Sequence, residues 1–259
     1  MSYDLNYEDG GPLDAPPLVL AGSLGTTLAM WDPQVRPLSE RFRTIRYDQR
    51  GHGASPAPPG PYAIADLGAD ALALLDRLGL ERTSWAGISI GGMVGLWLAI
   101  NAPERIDRLV LICSSAKLGT PEAWAERVAA VQEAGTVDAI ADTVVGRWLT
   151  PAFAEAHPET HAWLRAMLAA TPPEGYAGCC AAIGAMDQRD GLGAIRAPTL
   201  VISGAQDQSA PPENQELLAQ EIPGARLVTL SPAAHVASVE RAADVTGLIL
   251  DHLDQERPA

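Results

Sequence analysis

Residues 83–101, TSWAGISIGGMVGLWLAIN, constrain the fold more than any other stretch of the chain. They read as a short apolar strand running directly into a helix, with Ser89 at the corner. The frame Gly87-Ile88-Ser89-Ile90-Gly91-Gly92 fits G-x-S-x-G, in which a tight strand-to-helix turn holds a serine in a strained backbone conformation with its hydroxyl exposed. Side chains at 87 or 91 would collide where strand and helix pass closest, and Gly92 lets the helix lie against a sheet. A strand feeding a helix in this way belongs to an alternating architecture, so the flanking sequence should alternate too.

Residues 18–21 follow Pro16-Pro17 as a short buried strand, 43–47 form another, and 108–114 are an apolar run suited to a central strand. Residues 3–8 alternate weakly, as an edge strand would. Ile64, Leu67, Gly68, Ala71, Leu74, Leu75 and Leu78 recur at helical spacing and predict a helix covering the sheet. From 117 to about 190 the alternation stops. Alanine-rich helical segments punctuated by Pro121, Gly135, Pro151, Pro158, Pro172 and Pro173 take over, with no strand between them. A strand at 198–204, a helix near 213–222, a strand at 226–230 and a last helix bearing Val245, Leu248, Ile249 and Leu253 on one face resume the pattern. The expectation is one mostly parallel central sheet flanked by helices, built from residues 1–116 and 191–259 around a helical cap inserted at 117–190.

Serine is a weak nucleophile at neutral pH and needs a base, and the base needs a third group to orient it. Asp207 lies just past the 198–204 strand, at the carboxyl edge where sites in such sheets gather. His235 follows the last strand and takes the place of the base. Asp187 and Asp190 are competitors for the acid, but they sit where the cap ends rather than beyond a strand. The order Ser89, Asp207, His235 then matches an elbow-type triad. The loop Gly22-Ser23-Leu24-Gly25-Thr26-Thr27 follows an early strand and offers the Leu24 amide as one oxyanion donor; the Ile90 amide, next to the nucleophile, offers the other. His52, in Asp48-Gln49-Arg50-Gly51-His52-Gly53, precedes the nucleophile and reads as structural. His157 and His161 have helical spacing for two metal ligands, yet the glutamate of H-E-x-x-H and a third ligand are missing. No metal or organic cofactor is expected.

A formal net charge of -14 disfavours nucleic acid and anionic membrane surfaces as partners. The acidic, polar first eleven residues do not read as a secretion signal, and the apolar run 88–100 is too short to span a bilayer, so cytoplasmic residence is expected. Adjacent Cys179 and Cys180, with Cys113 in an apolar strand, read as reduced packing residues. Oligomeric state is not encoded in any pattern found. A small molecule is the expected partner.

With these residues in place the chain resembles the α/β-hydrolase superfamily, and within it the 3-oxoadipate enol-lactone hydrolases of bacterial aromatic catabolism. The matching stretches are Ser23 to Thr27 with Met30-Trp31-Asp32-Pro33-Gln34, the Asp48 and Arg50-Gly51-His52-Gly53 loop, the Ser89 frame, and Pro232-Ala233-Ala234-His235. Arg147-Trp148-Leu149-Thr150-Pro151 and Gly175-Tyr176-Ala177-Gly178-Cys179-Cys180 in the cap are similar as well. Ile90 departs from the methionine common there. The resemblance implies an α/β-hydrolase fold and a serine hydrolase that opens a small carboxylate-bearing lactone, such as 3-oxoadipate enol-lactone, through an acyl-enzyme. A general carboxylesterase, another lactonase, a cofactor-free perhydrolase and a small-molecule receptor are the alternatives. An acidic protein would attract a carboxylate substrate with a local arginine. Arg147 is the first candidate, with Arg127, Arg165 and Arg189 behind it, and Trp124, Trp148 and Trp163 could wall the pocket.

Overall fold

Strands β1 (Tyr7–Gly10), β2 (Pro17–Ala21), β3 (Arg43–Tyr47), β4 (Thr83–Ile88), β5 (Ile106–Ile112), β6 (Thr199–Gly204) and β7 (Arg226–Leu230) form one sheet in the order β1-β3-β2-β4-β5-β6-β7. This computed structural model describes residues 2–254; the outermost residues of the 1–116 and 191–259 segments, 1 and 255–259, lie outside the described residues. Only β1 is antiparallel, pairing Tyr7 with Tyr47 and Gly10 with Thr44; the other neighbours are parallel. Every residue of β4 and β6 is buried, as parallel strands covered on both faces must be.

Two strand boundaries differ from the sequence reading, each for a local reason. Residues 3–6 do not join the ladder: the Tyr3 amide donates to Asp70 Oδ1 (2.8 Å) and the Asn6 amide to Ser55 Oγ (2.9 Å), so side chains take the place of a neighbouring strand. β5 starts earlier than 108 and ends at Ile112, because Cys113 turns to φ 47° and leaves the extended region.

Helices α1 (Asp32–Ser39), α2 (Ile64–Arg77), α3 (Ile90–Asn101), α9 (Pro212–Glu221), α10 (Ala237–Glu240) and α11 (Ala242–Asp254) accompany the strands. Between β5 and β6 lie α4 (Pro121–Ala134), α5 (Asp138–Val145), α6 (Pro151–Ala156), α7 (Pro158–Ala169) and α8 (Pro173–Ala185), with no strand among the described residues. The prolines of this segment start helices rather than break them. Pro121, Pro151, Pro158 and Pro173 each open a helix, where the missing N–H costs nothing. Thr120 and Thr150 cap α4 and α6 by accepting from the Ala123 and Phe153 amides. α4 packs on α8, and α5 on α7. No helix of the described residues is long and apolar enough to cross a membrane.

The strand order fixes where a site can form. From β2 the chain moves to β3 on one side, and then returns to β4 on the other, so a crevice opens at the carboxyl ends of β2 and β4. The loop holding Leu24 follows β2, and Ser89 follows β4.

His252, on α11, is buried with Nε2 3.1 Å from the Pro198 carbonyl oxygen, and burial first, then Arg108 and Arg226, brings its pKa down from 6.5 to about 4. The unfolded chain therefore takes up this proton before the folded one, so the stability it contributes is complete above pH 6.5 and is lost as pH falls towards about 4. Urea unfolding at a series of pH values should show this loss for the native protein and a flatter profile between pH 6.5 and about 4 for His252→Gln.

Candidate active site

Ser89 stands at φ 55°, ψ -121°, outside the regions a residue with a side chain ordinarily occupies. Glycines enclose it. A Cβ on Gly87 would lie 2.3 Å from the Gly91 carbonyl carbon and oxygen, and one on Gly91 would lie 2.3 Å from the Ala21 carbonyl oxygen. Thus the closest approach at 91 is to the end of β2 rather than to the elbow strand itself. Hydrogen bonds brace the corner: the Ser89 amide donates to the Ile112 carbonyl (2.9 Å), the Gly91 amide to the Gly22 carbonyl (3.1 Å), and Ser114 Oγ to the Ser89 carbonyl (2.8 Å).

Asp207 and His235 meet after β6 and β7. Asp207 Oδ2 lies 2.8 Å from His235 Nδ1, with both side chains buried, and Asp207 Oδ1 accepts the Ser209 (2.8 Å) and Ala210 (2.9 Å) amides. The carboxylate is thus held in one orientation, and Nδ1 of the imidazole faces it as donor, leaving Nε2 for the cavity. Ser89 and His235 line the same cavity; among the described residues no hydrogen bond yet joins Ser89 Oγ to the ring. Such contacts are commonly long before substrate arrives. Asp187 is occupied elsewhere, by Lys117 (3.1 Å) and Arg189 (2.6 Å), which hold its carboxyl far below the usual range.

The β2 loop is fastened from behind by the Asp48 to Gly53 segment. His52 is fully buried; Nδ1 lies 3.1 Å from the Arg50 carbonyl oxygen, to which it donates, while Nε2 accepts the Gly25 amide at 2.8 Å. Burial lowers the His52 pKa against the opposing pull of the Arg50 carbonyl and Asp48, which keeps the ring neutral and Nε2 able to accept. Asp48 accepts the Leu28 amide (2.7 Å), and Arg50 is locked to Asp70 on α2 at 2.6 and 2.8 Å. Gly25 is thus tied back, while Leu24 lines the cavity with Ser89 and His235. Among the described residues neither the Leu24 amide nor the Ile90 amide has an intramolecular acceptor.

Ser89, Leu24 and His235 open into a cavity of about 80 Å³ roofed by the β5–β6 helices, where Trp124, Arg127, Val144, Arg147, Trp148 and Tyr176 contribute to the lining. The sequence candidates separate here. Arg147 and Trp148 line the cavity, as do Trp124 and Arg127; Trp163 is half-buried on α7 and packs against the core away from it. Arg165 is held by Asp138 (2.9 Å) and Asp142 (2.7 Å), and Arg189 by Asp187. Arg127 and Arg147 form no ion pair among the described residues. Arg127 lies 4.9 Å from the Trp124 ring centroid, a cation–π contact that leaves its donors available. Tyr176, not singled out as a site residue from sequence, also lines this cavity: among the described residues its buried hydroxyl has no hydrogen-bond partner, and burial pushes its pKa up while nearby Arg127 pulls it back in part. Its stretch carries part of the family resemblance, but nothing in the spacing marks Tyr176 itself as a pocket residue. Cys113, Cys179 and Cys180 are buried and free, with thiols pushed up by desolvation, Cys180 to about 12. Among the described residues no three His, Cys, Asp or Glu side chains cluster as metal ligands.

The family described as alpha/beta hydrolase fold matches residues 16–242. The 3-oxoadipate enol-lactonase 2 of Acinetobacter baylyi is 42% identical over 237 residues, 92% of this chain and 88% of that protein. The crystal structure of the enol-lactonase from Burkholderia xenovorans LB400 superposes with a TM-score of 0.95 at 43% identity, covering 98% of this chain and 97% of that one. A putative carbamate hydrolase RutD of Stutzerimonas stutzeri is 30% identical, covering 97% of each chain.

The contact at Gly91 can be tested directly. Gly91→Ala places its Cβ against the backbone oxygen of Ala21, where neither side can yield, and should destabilise the fold by about 2 kcal/mol or more. Gly247→Ala, within α11 and with nothing inside 4 Å of the added Cβ, should instead be neutral or stabilising by roughly 0.5–1 kcal/mol. Chemical denaturation of both variants measures the contrast.

Proposed function

The chain belongs to the α/β-hydrolase fold family, and within that family we propose that it opens 3-oxoadipate enol-lactone to 3-oxoadipate. It is a hydrolase acting on ester or lactone bonds. The observation that carries the substrate reading is the pair Arg127 and Arg147, without a carboxylate partner among the described residues and lining the cavity that also holds Ser89 and His235. In a chain of net charge -14, where Arg41, Arg43, Arg46, Arg50, Arg77 and Arg105 all hold carboxylates, such freedom favours an anionic ligand. The lactone names of the relatives support the same substrate.

In this reading Ser89 Oγ attacks the lactone carbonyl as His235 Nε2 takes its proton, and Asp207 steadies the resulting imidazolium through Nδ1. The Leu24 and Ile90 amides donate to the oxyanion, a term worth several kcal/mol in comparable sites. Collapse breaks the ring C–O bond, and the imidazolium returns its proton to the departing enol oxygen. Because the ring opens rather than divides, the acyl-enzyme retains that enol, which tautomerises to the ketone. Water activated by His235 then releases 3-oxoadipate and restores Ser89. Residues 117–190 act as the cap that places Arg127 and Arg147 over the nucleophile, with Trp124 and Trp148 excluding water beside them.

Purified protein should consume the enol-lactone, followed by its loss of absorbance, far more efficiently than p-nitrophenyl acetate. Ser89→Ala should lower turnover by roughly 10⁴-fold or more. Retention of most activity would sink the covalent route, and preference for simple esters or carbamates would sink the substrate. Arg127→Ala and Arg147→Ala should each raise KM for the charged lactone by about 10-fold or more, with KM for the neutral ester little changed. The exposed Arg226→Ala serves as control, and equal KM effects from all three would remove the anion anchor.

A further inference from the structure

The base sits on a loop, and loops move unless something holds them. His235 is held on both flanks by groups from outside its own loop. The Val236 amide donates to the Trp148 carbonyl at 2.8 Å. On the other side the Ala234 amide donates to Glu240 Oε2 at 2.9 Å. The same carboxylate also accepts from Thr150, whose amide lies 3.3 Å from each oxygen and whose hydroxyl donates to Oε1. Glu240 is 8% exposed and, among the described residues, pairs with no cation. A buried carboxylate without a counter-charge is costly and persists only where its oxygens are fully engaged. Here the donors that engage it come from two separate parts of the chain, 90 residues apart at Thr150 and six apart at Ala234.

We propose that Glu240 is a positioning residue that clamps the His235 loop to the Trp148–Leu149–Thr150 segment of the cap, so that the catalytic base and the neighbouring Arg147 anchor are held as one unit. This rests on the hydrolytic reading above. An apolar side chain would fill the site without joining its two sides, because among the described residues no other group accepts from both the Ala234 and Thr150 amides. Arg147 immediately precedes the clamped segment and lines the cavity with His235, so displacement of the segment moves anchor and base together.

The test compares Glu240→Ala, Glu240→Gln and Thr150→Val with the native enzyme, each first shown to be folded by circular dichroism. Hydrogen exchange of peptides covering 147–150 and 233–236 should accelerate together in Glu240→Ala, while peptides covering the Ser89 elbow and Asp207 stay protected. With p-nitrophenyl acetate, which needs no anion anchor, kcat should fall by about 10- to 100-fold as the base loses its place. With the enol-lactone KM should rise as well. Glutamine keeps an acceptor for the Ala234 amide and can still meet the Thr150 hydroxyl, so Glu240→Gln should recover most of the loss. Thr150→Val removes the hydroxyl donor to Glu240 and with it the cap on the Phe153 amide, so exchange at 151–156 is followed beside it; exchange at 233–236, across the clamp from that cap, should rise and ester kcat fall by less than in Glu240→Ala, and this decides the matter if Glu240→Ala does not fold. Unchanged exchange at 233–236 together with unchanged ester kcat in the folded variants would overturn the proposal. If the native enzyme turns over the ester and not the enol-lactone, the substrate reading falls while the exchange and ester arms still test the clamp.

Discussion

The contact between backbones at Gly87 and Gly91 is the constraint on which the candidate catalytic edge depends. Ser89 can stay at φ 55° only because the strand before it and the helix after it are pressed together and against the end of β2. Residues in such regions cost on the order of 1–3 kcal/mol, and they persist only where the surroundings over-determine them. Here the Ile112 carbonyl of β5 accepts the Ser89 amide and the Gly22 carbonyl, one residue past β2, accepts the Gly91 amide, so the strained corner is pinned from both neighbouring strands. The same closeness brings the Leu24 loop beside the nucleophile. One packing requirement therefore sets the angle of the serine hydroxyl and the position of both candidate oxyanion amides.

Charge pairing supplies the second level of organisation. Buried Arg50 and Asp70 fasten the Asp48–Gly53 loop to α2, and through the His52–Gly25 bond that loop fastens the segment holding Leu24. A neutral histidine suits this post because its unprotonated nitrogen can accept a backbone amide, which an imidazolium could not do. Many surface arginines meanwhile are engaged by the abundant carboxylates of the chain. Of the arginines without an ion pair among the described residues, Arg127 and Arg147 line the Ser89 cavity, whereas Arg36, Arg196 and Arg226 do not.

Local pattern carried much of this. The elbow, the helix at 64–77 and the strand at 43–47 are specified by neighbours within a few residues, through periodicity and glycine placement, and they were legible for that reason. The mostly parallel sheet and the placing of Ser89, Asp207 and His235 at one edge followed from strand alternation, since each side chain sits just past a carboxyl end; the order of the strands did not. What escaped the sequence depends on tertiary partners. Nothing around Arg165 announces that Asp138 and Asp142, 27 and 23 residues earlier, will occupy its guanidinium, and nothing around Trp163 announces that it faces the core. Residues 3–6 have strand-like alternation, yet side chains of Asp70 and Ser55 claim their amides. The Glu240 contacts to Thr150 span 90 positions and have no periodic signature at all.

The three candidate triad members are immobilised by different means, and the difference matters for how the β5–β6 helices can vary. Ser89 is fixed by backbone geometry intrinsic to the sheet, and Asp207 by the Ser209 and Ala210 amides of its own loop. His235 alone relies on a segment of the β5–β6 insertion, through Trp148 and Thr150. A change in the insertion that altered the pocket walls around Trp124 or Tyr176 would leave that attachment intact, whereas one that shifted residues 147–150 would disturb substrate anchoring and proton transfer at once. Substrate preference in this architecture should therefore be easier to alter from α4 and α8 than from the turn between α5 and α6, because only the latter carries part of the support for the base.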